Sequence, residues 1–339
     1  MGSPMIAAGR RGVVLLLLAI CWPAGEVRAA ELAPPLVLER TIPLVGVTGR
    51  IDHMAIDLER GRLFVAELGN GTVDAIDLAT GERAYRIDGL KEPQGIGYSP
   101  RADLIAVASA GDGSVRLFRA VDGVPAGRIN LGADADNVRL DARTGHFIVG
   151  YGSGGLAVID PASRSVLARI ALPAHPEGFQ LDPDGGRAFV NVPGAGQIAV
   201  VDLMARQRIA AWHVPGARAN FPMALDAAGA VLATVFRDPP RLVLMDTKTG
   251  TVRAARDACG DADDVFFDNR RGRLYVSCGA GVVEVEQQAA DGYGRLARIA
   301  TRQGARTSLF VPELDRLFVA ARAGQSGSAA AVLVFRPLP

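Results

Sequence analysis

A unit of about 42 residues that recurs seven times along the chain is the feature that most constrains the fold. Each copy has a position at the end of its first apolar run, which is occupied in turn by Asp57, Ser99, Asp141, Asp182, Asp226, Asp268 and Pro312. Successive positions are 41 to 44 residues apart. Apolar and polar residues alternate at a period of two, which indicates strands and not helices. A repeat of ~40–45 residues built from short strands is typical of the blade of a β-propeller.

The first copy shows how one blade is expected to be built. Strands are predicted at residues 54–57, 62–66, 72–78 and 83–87, with the tight turn "ATGE" before the fourth. Later copies carry "IDPASRS", "VDLMARQ" and "MDTKTGT" at this turn, and these contain the Asp, Ser, Thr and Gly residues that hairpin turns favour. The sequence therefore predicts an all-β, seven-bladed β-propeller with four antiparallel strands in each blade.

The seventh copy contains only three of the four strands. They are predicted at residues 308–311, 316–321 and 330–335. Near the other end, "LVLERTIPL" at 36–44 resembles the fourth-strand sequence "VLARIALP" at 166–173. Pairing of the two ends would remove an exposed sheet edge, which otherwise invites aggregation. We therefore expect the N-terminal strand to complete the last blade and to close the ring, with residues 30–339 forming a single domain.

Residues 1–29 have the pattern of a secretory signal peptide. Arg10 and Arg11 precede an apolar run at 13–20, and Val27, Arg28 and Ala29 fit the small-residue rule for cleavage. The run is too short to span a bilayer. The sequence thus predicts a periplasmic or secreted protein without a transmembrane segment after cleavage.

Charge argues against a nucleic-acid partner. The chain has 37 basic and 36 acidic residues, a formal net charge of +1. Binding to nucleic acid draws much of its free energy from the release of counterions by Lys and Arg, and this chain has no excess of them.

The repeat text also resembles a known family. "GRLFVA" at 61–66, "GTVDAIDLATGE" at 71–82 and "GQIAVVDL" at 196–203 resemble the YVTN-repeat propellers, and more closely the exported bacterial YncE-like proteins. The resemblance implies a WD40-like ring of blades over nearly all of the mature chain. Members of the family include surface-layer proteins, proposed ligand or nucleic-acid binders, and propellers of redox enzymes. Tyr-Val-Thr-Asn itself is replaced here by "FVAE", "FVNV" and "YVSC".

Repeat logic places a group of polar residues at the mouth of the central channel, because each inner strand starts there. The position five residues before the recurring one holds Asp52, Gln94, Asp136, Glu177, Phe221, Asp263 and Thr307. The next position and the adjacent loops add His53, Asn137, Asp264, Arg306, His175 and Asn220. Loops between the second and third strands are expected on the same face, and they contribute Glu67, Asn70, Tyr151, Asn191, Arg237 and Arg322.

Two interpretations of the four converging carboxylates are open. Like charges in one channel repel unless a cation or a basic group compensates them. Asp52, Asp136, Glu177 and Asp263 are suited to Ca²⁺, Mg²⁺ or Mn²⁺, and the nearby histidines to Zn²⁺. The other interpretation is that water fills the mouth and that Arg237, Arg306 and Arg322 balance the charge.

Cys259 and Cys278 are the two cysteines of the mature chain. They bracket the sixth copy at nearly symmetric positions, on loops that a propeller brings to one face. An even pair in an oxidising compartment favours a disulfide, and two unpaired thiols or a metal-binding or catalytic thiol are the alternatives.

Three functions are consistent with these residues. The favoured one is a monomeric, non-catalytic propeller that binds a small ligand or a periplasmic protein through its channel face. A metal-assisted hydrolase, lactonase or lyase, with a divalent cation at the channel mouth, is the first alternative. An accessory subunit of a periplasmic redox complex is the second. The sequence contains no nucleophile elbow, phosphate-binding loop or zinc-protease motif, which is why binding is favoured over catalysis.

Overall fold

The computed structural model describes residues 1–5, 9, 33–183, 186–226, 228–290, 292–324 and 327–339. The chain divides into two compact units, Met1–Ala33 and Pro34–Pro339. Nearly all of the predicted signal peptide lies outside the described residues. The second unit carries all the strands that follow. No helix in the described ranges has the length and hydropathy needed to cross a membrane.

The strand β1 (Leu36–Pro43) precedes six blades, each of which is a four-stranded antiparallel sheet of consecutive strands. Blade 1 consists of β2 (Met54–Asp57), β3 (Arg62–Glu67), β4 (Thr72–Asp77) and β5 (Arg83–Ile87). Blade 2 consists of β6 (Pro93–Ser99), β7 (Leu104–Ser109), β8 (Ser114–Arg119) and β9 (Pro125–Asn130). Blade 3 consists of β10 (Ala135–Asp141), β11 (His146–Tyr151), β12 (Gly155–Asp160) and β13 (Ser165–Ala171).

The next three blades follow the same order. Blade 4 consists of β14 (Phe179–Leu181), β15 (Arg187–Val192), β16 (Gln197–Asp202) and β17 (Gln207–Trp212). Blade 5 consists of β18 (Arg218–Asp226), β19 (Val231–Asp238), β20 (Pro240–Asp246) and β21 (Val252–Asp257). Blade 6 consists of β22 (Ala262–Asp268), β23 (Arg273–Cys278), β24 (Val282–Ala289) and β25 (Gly292–Ala300). Short 3₁₀ turns lie at Leu68–Asn70 and Pro193–Ala195.

Blade 7 is shared by the two ends of the chain. Its strands β26 (Ser308–Val311), β27 (Arg316–Ala321) and β28 (Ala331–Pro337) are completed by β1 in the sheet order β1-β28-β27-β26. The antiparallel register places Leu36 opposite Pro337 and Ile42 opposite Val332. The predicted seven-bladed fold and its closure by the N-terminal strand are therefore confirmed.

Buried apolar side chains pack between neighbouring blades, because the middle strands of each sheet have apolar residues on both faces. Leu63 and Val65 of β3 belong to the cluster shared with blade 7, whereas Phe64 and Ala66 of the same strand belong to the cluster shared with blade 2. Side chains of a strand alternate between its two faces, so one strand contributes to two cores. Clusters of this kind link every pair of neighbouring blades.

Acidic residues shape the outer turns. Asp77 accepts hydrogen bonds from the backbone N–H groups of Ala79 (2.9 Å) and Thr80 (3.0 Å) at one carboxylate oxygen. Asp160, Asp202 and Asp246 accept equivalent bonds in blades 3, 4 and 5. These bonds stabilise the turn before the fourth strand, and they explain why the Asp recurs in the repeat text.

A disulfide joins Cys259, in the loop before β22, to Cys278 at the end of β23, with 6.0 Å between the two Cα atoms. Both residues are buried. The bond therefore fixes the loop that carries Asp261 and the start of β22, which carries Asp263.

Candidate functional site

A cavity of about 240 Å³ lies where the inner strands begin, at the mouth of the central channel. Most of the residues predicted for the mouth line it: Asp52, His53, Gln94, Asp136, Asn137, Glu177, Phe221, Asp263, Asp264 and Arg306. Thr307 and Asn220, which were also predicted there, instead donate hydrogen bonds to the carbonyl of Ile51 and to the side-chain oxygen of Asn191. His175 and Arg237, from the loops predicted on the same face, line it as well. The cavity thus collects charged side chains from six of the seven blades.

Backbone irregularities at the start of the inner strands aim these side chains inward. The register shifts between Ala135 and Val138 in blade 3 and between Ala262 and Asp264 in blade 6, so Asp136 and Asp263 lie in β-bulges. A bulge re-aims side chains and interrupts the regular ladder. Blades 2 and 5 have equivalent shifts at the same place.

Two glycines allow the inner strands to approach closely at this level. A Cβ on Gly95 would lie 2.0 Å from the carbonyl oxygen of Asp136, and one on Gly178 would lie 2.5 Å from that of Phe221. Neither distance is compatible with a side chain. The glycine that follows Gln94 and the glycine that follows Glu177 are therefore needed to bring neighbouring blades together at the mouth.

Arginines compensate the acids on one side of the mouth. Asp263 lies 2.5 Å from a terminal nitrogen of Arg237 and 2.9 Å from Nε of Arg306. Arg306 also contacts Asp261 at 2.7 Å, and Arg237 covers the ring of Phe221 at 3.8 Å from its centroid. Burial raises the pKa of Asp263, and the charges of Arg306 and Arg237 oppose this effect.

A second group of paired charges belongs to blades 1 and 6. Asp52 lies 2.6 Å from Arg50 and 3.7 Å from Nε2 of His53. Nδ1 of His53 lies 3.8 Å from Asp264, which accepts the backbone N–H of Ser308 at 2.7 Å. Burial lowers the pKa of His53, but Asp264 and Asp52 outweigh burial and raise the pKa to about 10. His53 is therefore a cation at neutral pH.

The side formed by blades 3 and 4 has an excess of acid. Nδ1 of His175 lies 3.4 Å from Asp134, and Nε2 lies 3.7 Å from Asp136. The carboxylate of Glu177 lines the same side, and within the described part of the chain no residue forms a hydrogen bond or an ion pair with it. Burial, followed by the charge of Asp136, raises the pKa of Glu177 to about 8. His175 thus lies beside both Asp134 and Asp136, whereas the charges of His175 and Arg237 act on Glu177 only without an ion-pair contact.

The remaining residues predicted on this face do not line the cavity. Glu67 is buried beside Thr72 and 3.3 Å from Arg86, and the amide of Asn191 donates to the carbonyl of Phe221 at 3.0 Å. Both side chains turn into the blades and satisfy buried polar groups there.

The other three serve loops or surfaces nearby. Asn70 accepts the backbone N–H of Thr48 at 3.0 Å and so holds a loop. Tyr151 packs under the guanidinium of Arg169, 5.2 Å from its ring centroid. Arg322 is exposed and lies beside Gly304. None of these three side chains lines the cavity, because each is oriented by local contacts. Arg322 lies beside Arg50, Asp261 and Arg306 in a smaller depression, and the placement of the three residues on the channel face stays a prediction.

Arg50, Asp134 and Arg139 line the cavity and were missed from the sequence. Arg139 lies on β10 two residues before Asp141, the recurring position of blade 3. Residues two apart on an inner strand point to the same face. Because Asn137 was predicted at the mouth, the alternation of the strand also predicts Arg139 there. Arg50 and Asp134 lie in loops before the inner strands, where no period applies.

No three His, Cys, Asp or Glu side chains in the described ranges are arranged so that they could hold a metal ion. The predicted divalent-cation site at Asp52, Asp136, Glu177 and Asp263 remains a prediction. Asp263, Asp52 and Asp136 each already lie close to an Arg or His side chain of this chain.

Comparison with known proteins gives the fold. No protein-family model matches the chain, and no curated protein matches it. A chain of the structure titled "Crystal Structure of Mitotic Checkpoint Complex" is similar, with a TM-score of 0.76 and 12% identity over 96% of this chain and 99% of that one. A chain of "Kuenenia stuttgartiensis Hydrazine Synthase" is similar with a TM-score of 0.69 and 14% identity over 83% and 94%. At these identities the similarity is one of fold, and the protein has the β-propeller fold of both.

Proposed function

We propose that the channel mouth binds a small primary amine and that the protein acts as a non-catalytic binding propeller. The observation that carries this proposal is the carboxylate of Glu177, which lies in the cavity beside Asp136 without a cationic partner of its own. Because the pKa of Glu177 is about 8, this acid is largely protonated at neutral pH in the unliganded protein. An ammonium group bound beside it would favour loss of that proton and would offset the repulsion between the two carboxylates that results.

The acid without a hydrogen-bond or ion-pair partner lies on one side of the mouth, which gives the ligand an orientation. Asp263 has Arg237 and Arg306 as partners on the opposite side, so that side offers no free carboxylate. The ammonium group of the ligand would therefore lie toward blades 3 and 4, near Glu177. The Arg side chains opposite suit a neutral or anionic tail.

The lining favours an ammonium group with N–H donors over a quaternary one. Quaternary ammonium ligands are recognised by open aromatic faces. Phe221 is the one Phe, Tyr or Trp ring among the described residues of the lining, and Arg237 covers it. A cavity of about 240 Å³ also lies just below the ~300–1,000 Å³ range of small-molecule sites, so the ligand is small.

We further propose that the protein is exported and YncE-like, because residues 1–29 have the pattern of a signal peptide and the repeat sequence resembles that family. A chain of similar fold belongs to a mitotic checkpoint complex, which is consistent with propellers acting as binding scaffolds. The hydrolase, lactonase or lyase alternative and the redox-subunit alternative stay predictions, and no observation in the site favours either over binding.

Isothermal titration calorimetry with butylamine tests the proposal, with butan-1-ol as the neutral analogue. Butylamine should bind the native protein more tightly than butan-1-ol. Glu177→Gln should weaken butylamine binding by about tenfold, the equivalent of ~1.4 kcal/mol. Asp261→Asn is the control, because this acid lies on the same face outside the cavity lining and is paired with Arg306 at 2.7 Å. Equal affinity of native protein and Glu177→Gln would overturn the proposal.

The same titration with CaCl₂, MgCl₂ and MnCl₂ separates the amine from the predicted divalent cation. A divalent ion that binds the native protein and excludes butylamine would replace the amine proposal with a metal site. Failure of all three ions to affect butylamine binding would support the amine.

A further inference from the structure

A second cavity, which we call the shaft, continues from the mouth along the inner strands. Its volume is about 430 Å³, within the ~300–1,000 Å³ range of small-molecule sites. Its wall is mixed, and its apolar part includes Ile56, Leu140, Leu225, Phe266 and Leu309. These side chains remain partly accessible although they lie at the centre of the ring.

Three charged residues, His53, Arg139 and Asp264, line both the shaft and the mouth cavity, so they form the partition between the two. His53 and Asp264 face each other, with Nδ1 3.8 Å from the carboxylate. Their charges offset one another. The shaft then has one further charge at its inner end, the guanidinium of Arg139.

No carboxylate in the described part of the chain lies within ion-pair distance of Arg139. One terminal nitrogen donates to the carbonyl of the adjacent Val138 at 2.9 Å, and the guanidinium lies 5.5 Å from the ring centroid of Phe179. Burial lowers the pKa of Arg139, and the charges of Asp264 and Asp136 oppose this effect. Most of its hydrogen-bond donors are free to bind a ligand.

Arg139 is partly buried, and its guanidinium lies at the end of the shaft without an ion-pair partner in the described part of the chain. Removing water from a charge without pairing it is unfavourable by several kcal/mol. A carboxylate matches the planar fork of Arg and restores the missing partner. The adjoining apolar wall would bury a hydrocarbon group at the same time.

We propose that the shaft is a second binding site, distinct from the mouth, which takes an amphiphilic monocarboxylic acid. The carboxylate pairs with Arg139, and the hydrocarbon part lies along Phe266 and Leu309 toward the opposite opening. A single negative charge fits better than a phosphate dianion, because Asp264 lines the same end of the shaft. The ligand class is thus a medium-chain or aromatic carboxylate.

Calorimetric titration with octanoate, and with octanamide as its uncharged analogue, tests the charged end. Octanoate should bind the native protein more tightly than octanamide. Arg139→Met should reduce octanoate affinity to that of octanamide, and Arg139→Lys should give an intermediate affinity because it keeps the charge without the fork. Equal affinities of the two compounds for the native protein would overturn the proposal, as would unchanged octanoate binding by Arg139→Met.

The length of the acid tests the apolar wall. In the series hexanoate, octanoate and decanoate, each added CH₂ should tighten binding by about fourfold, the equivalent of ~0.8 kcal/mol per buried CH₂. Affinities that do not change with length would contradict a ligand lying along the shaft.

A pair of matched substitutions locates the site. Leu309→Trp places bulk in the shaft and should abolish octanoate binding, whereas Leu296→Trp on the exposed face of β25 should leave it unchanged. Thermal unfolding checks that both variants are folded, and butylamine binding checks the mouth separately. Glu177→Gln should leave octanoate affinity within about twofold of native. If Leu309→Trp folds and still binds octanoate as the native protein does, the shaft is not the site.

Discussion

A terminal nitrogen of Arg237 on blade 5 lies 2.5 Å from the carboxylate of Asp263 on blade 6, across the boundary between the two blades. The same guanidinium covers the ring of Phe221. The side chain of Asp263 is only 13% exposed, and this neighbour and Arg306 from blade 7 compensate its charge. The charge balance of the mouth therefore depends on how blades 5 and 6 pack against each other.

Arg237→Met should lower the free energy of unfolding by about 1–3 kcal/mol. Complete loss of the partner of a buried charge costs ~3–5 kcal/mol, and Asp263 still keeps Arg306 at 2.9 Å. Urea denaturation at pH 7 measures the change. Arg218→Met is the control, because its ion pair with Asp238 is at the surface, with side chains 78% and 60% exposed. Equal losses of unfolding free energy for the two substitutions would show that the Arg237–Asp263 pair stabilises the protein no more than a surface ion pair does.

The free energy of unfolding should fall between pH 5 and pH 8 more steeply in the native protein than in Glu177→Gln. Glu177 releases its proton near 4.5 when unfolded, whereas burial and Asp136 raise its pKa to about 8 in the folded state. Between these values the folded state holds a proton that the unfolded state has lost, so rising pH favours unfolding. The two proteins should differ by at least on the order of 1 kcal/mol across this range.

Urea titrations at each pH, followed by the fluorescence of Trp212, provide the measurement for Glu177. His53 also has a raised pKa, but both proteins contain it, so the difference between their curves isolates Glu177 and the residues coupled to it. Parallel curves would mean that the carboxyl group of Glu177 is not buried in the folded protein.

Replacement of both Cys259 and Cys278 by Ala should cost about 3 kcal/mol of stability. The disulfide closes a loop with a sequence separation of 19, and the chain-entropy argument gives roughly this value for such a loop. Thermal and urea unfolding in the presence and absence of dithiothreitol check it. Reductant should destabilise the native protein and leave the double Ala variant unchanged. A response of the variant to reductant would contradict the assignment.

Deletion of residues 34–45 should abolish soluble, folded protein. This removes β1 and exposes the edge of β28, with the apolar residues Val332, Leu333 and Val334 on a strand that has lost its partner. An unpaired apolar edge favours aggregation. The control is a chain that begins at residue 30 and retains β1. Equal yield and equal melting temperature for the two chains would show that the ring closes without β1.

The blades were predictable because the information that specifies them is local and repeated. Each repeat specifies its own strands through the alternation of apolar residues, as in β3. It also specifies its own turn, as at Asp77, and the interval between recurring positions sets its length. Once seven units are present, closure follows from the cost of leaving an edge. The inner-strand positions were predictable for the same reason, since Asp52, Asp136 and Asp263 occupy equivalent places in the repeat.

The loop residues were not predictable because contacts outside the repeat orient them. Asn191 turns inward to meet the carbonyl of Phe221 in the next blade, and Glu67 turns toward Thr72 five residues later. Arg237 likewise lies near the end of the second strand of its blade, but its side chain reaches the cavity because it contacts Asp263 and the ring of Phe221 there. Position in the repeat places the backbone, and the partner of each side chain decides where it points.

Completion of blade 7 by β1 also sets an order of events during protein synthesis. Leu36 pairs with Pro337, so β1 can pair only after β28 has been synthesised. Roughly 300 residues separate them, which at ~5–20 residues/s corresponds to about 15–60 s of translation. The growing chain can assemble six blades in that time, but it has no closed ring. Every nascent chain that ends before residue 331 therefore has β1 without its native partner strand. A prematurely terminated chain lacks β28, so it cannot close the ring.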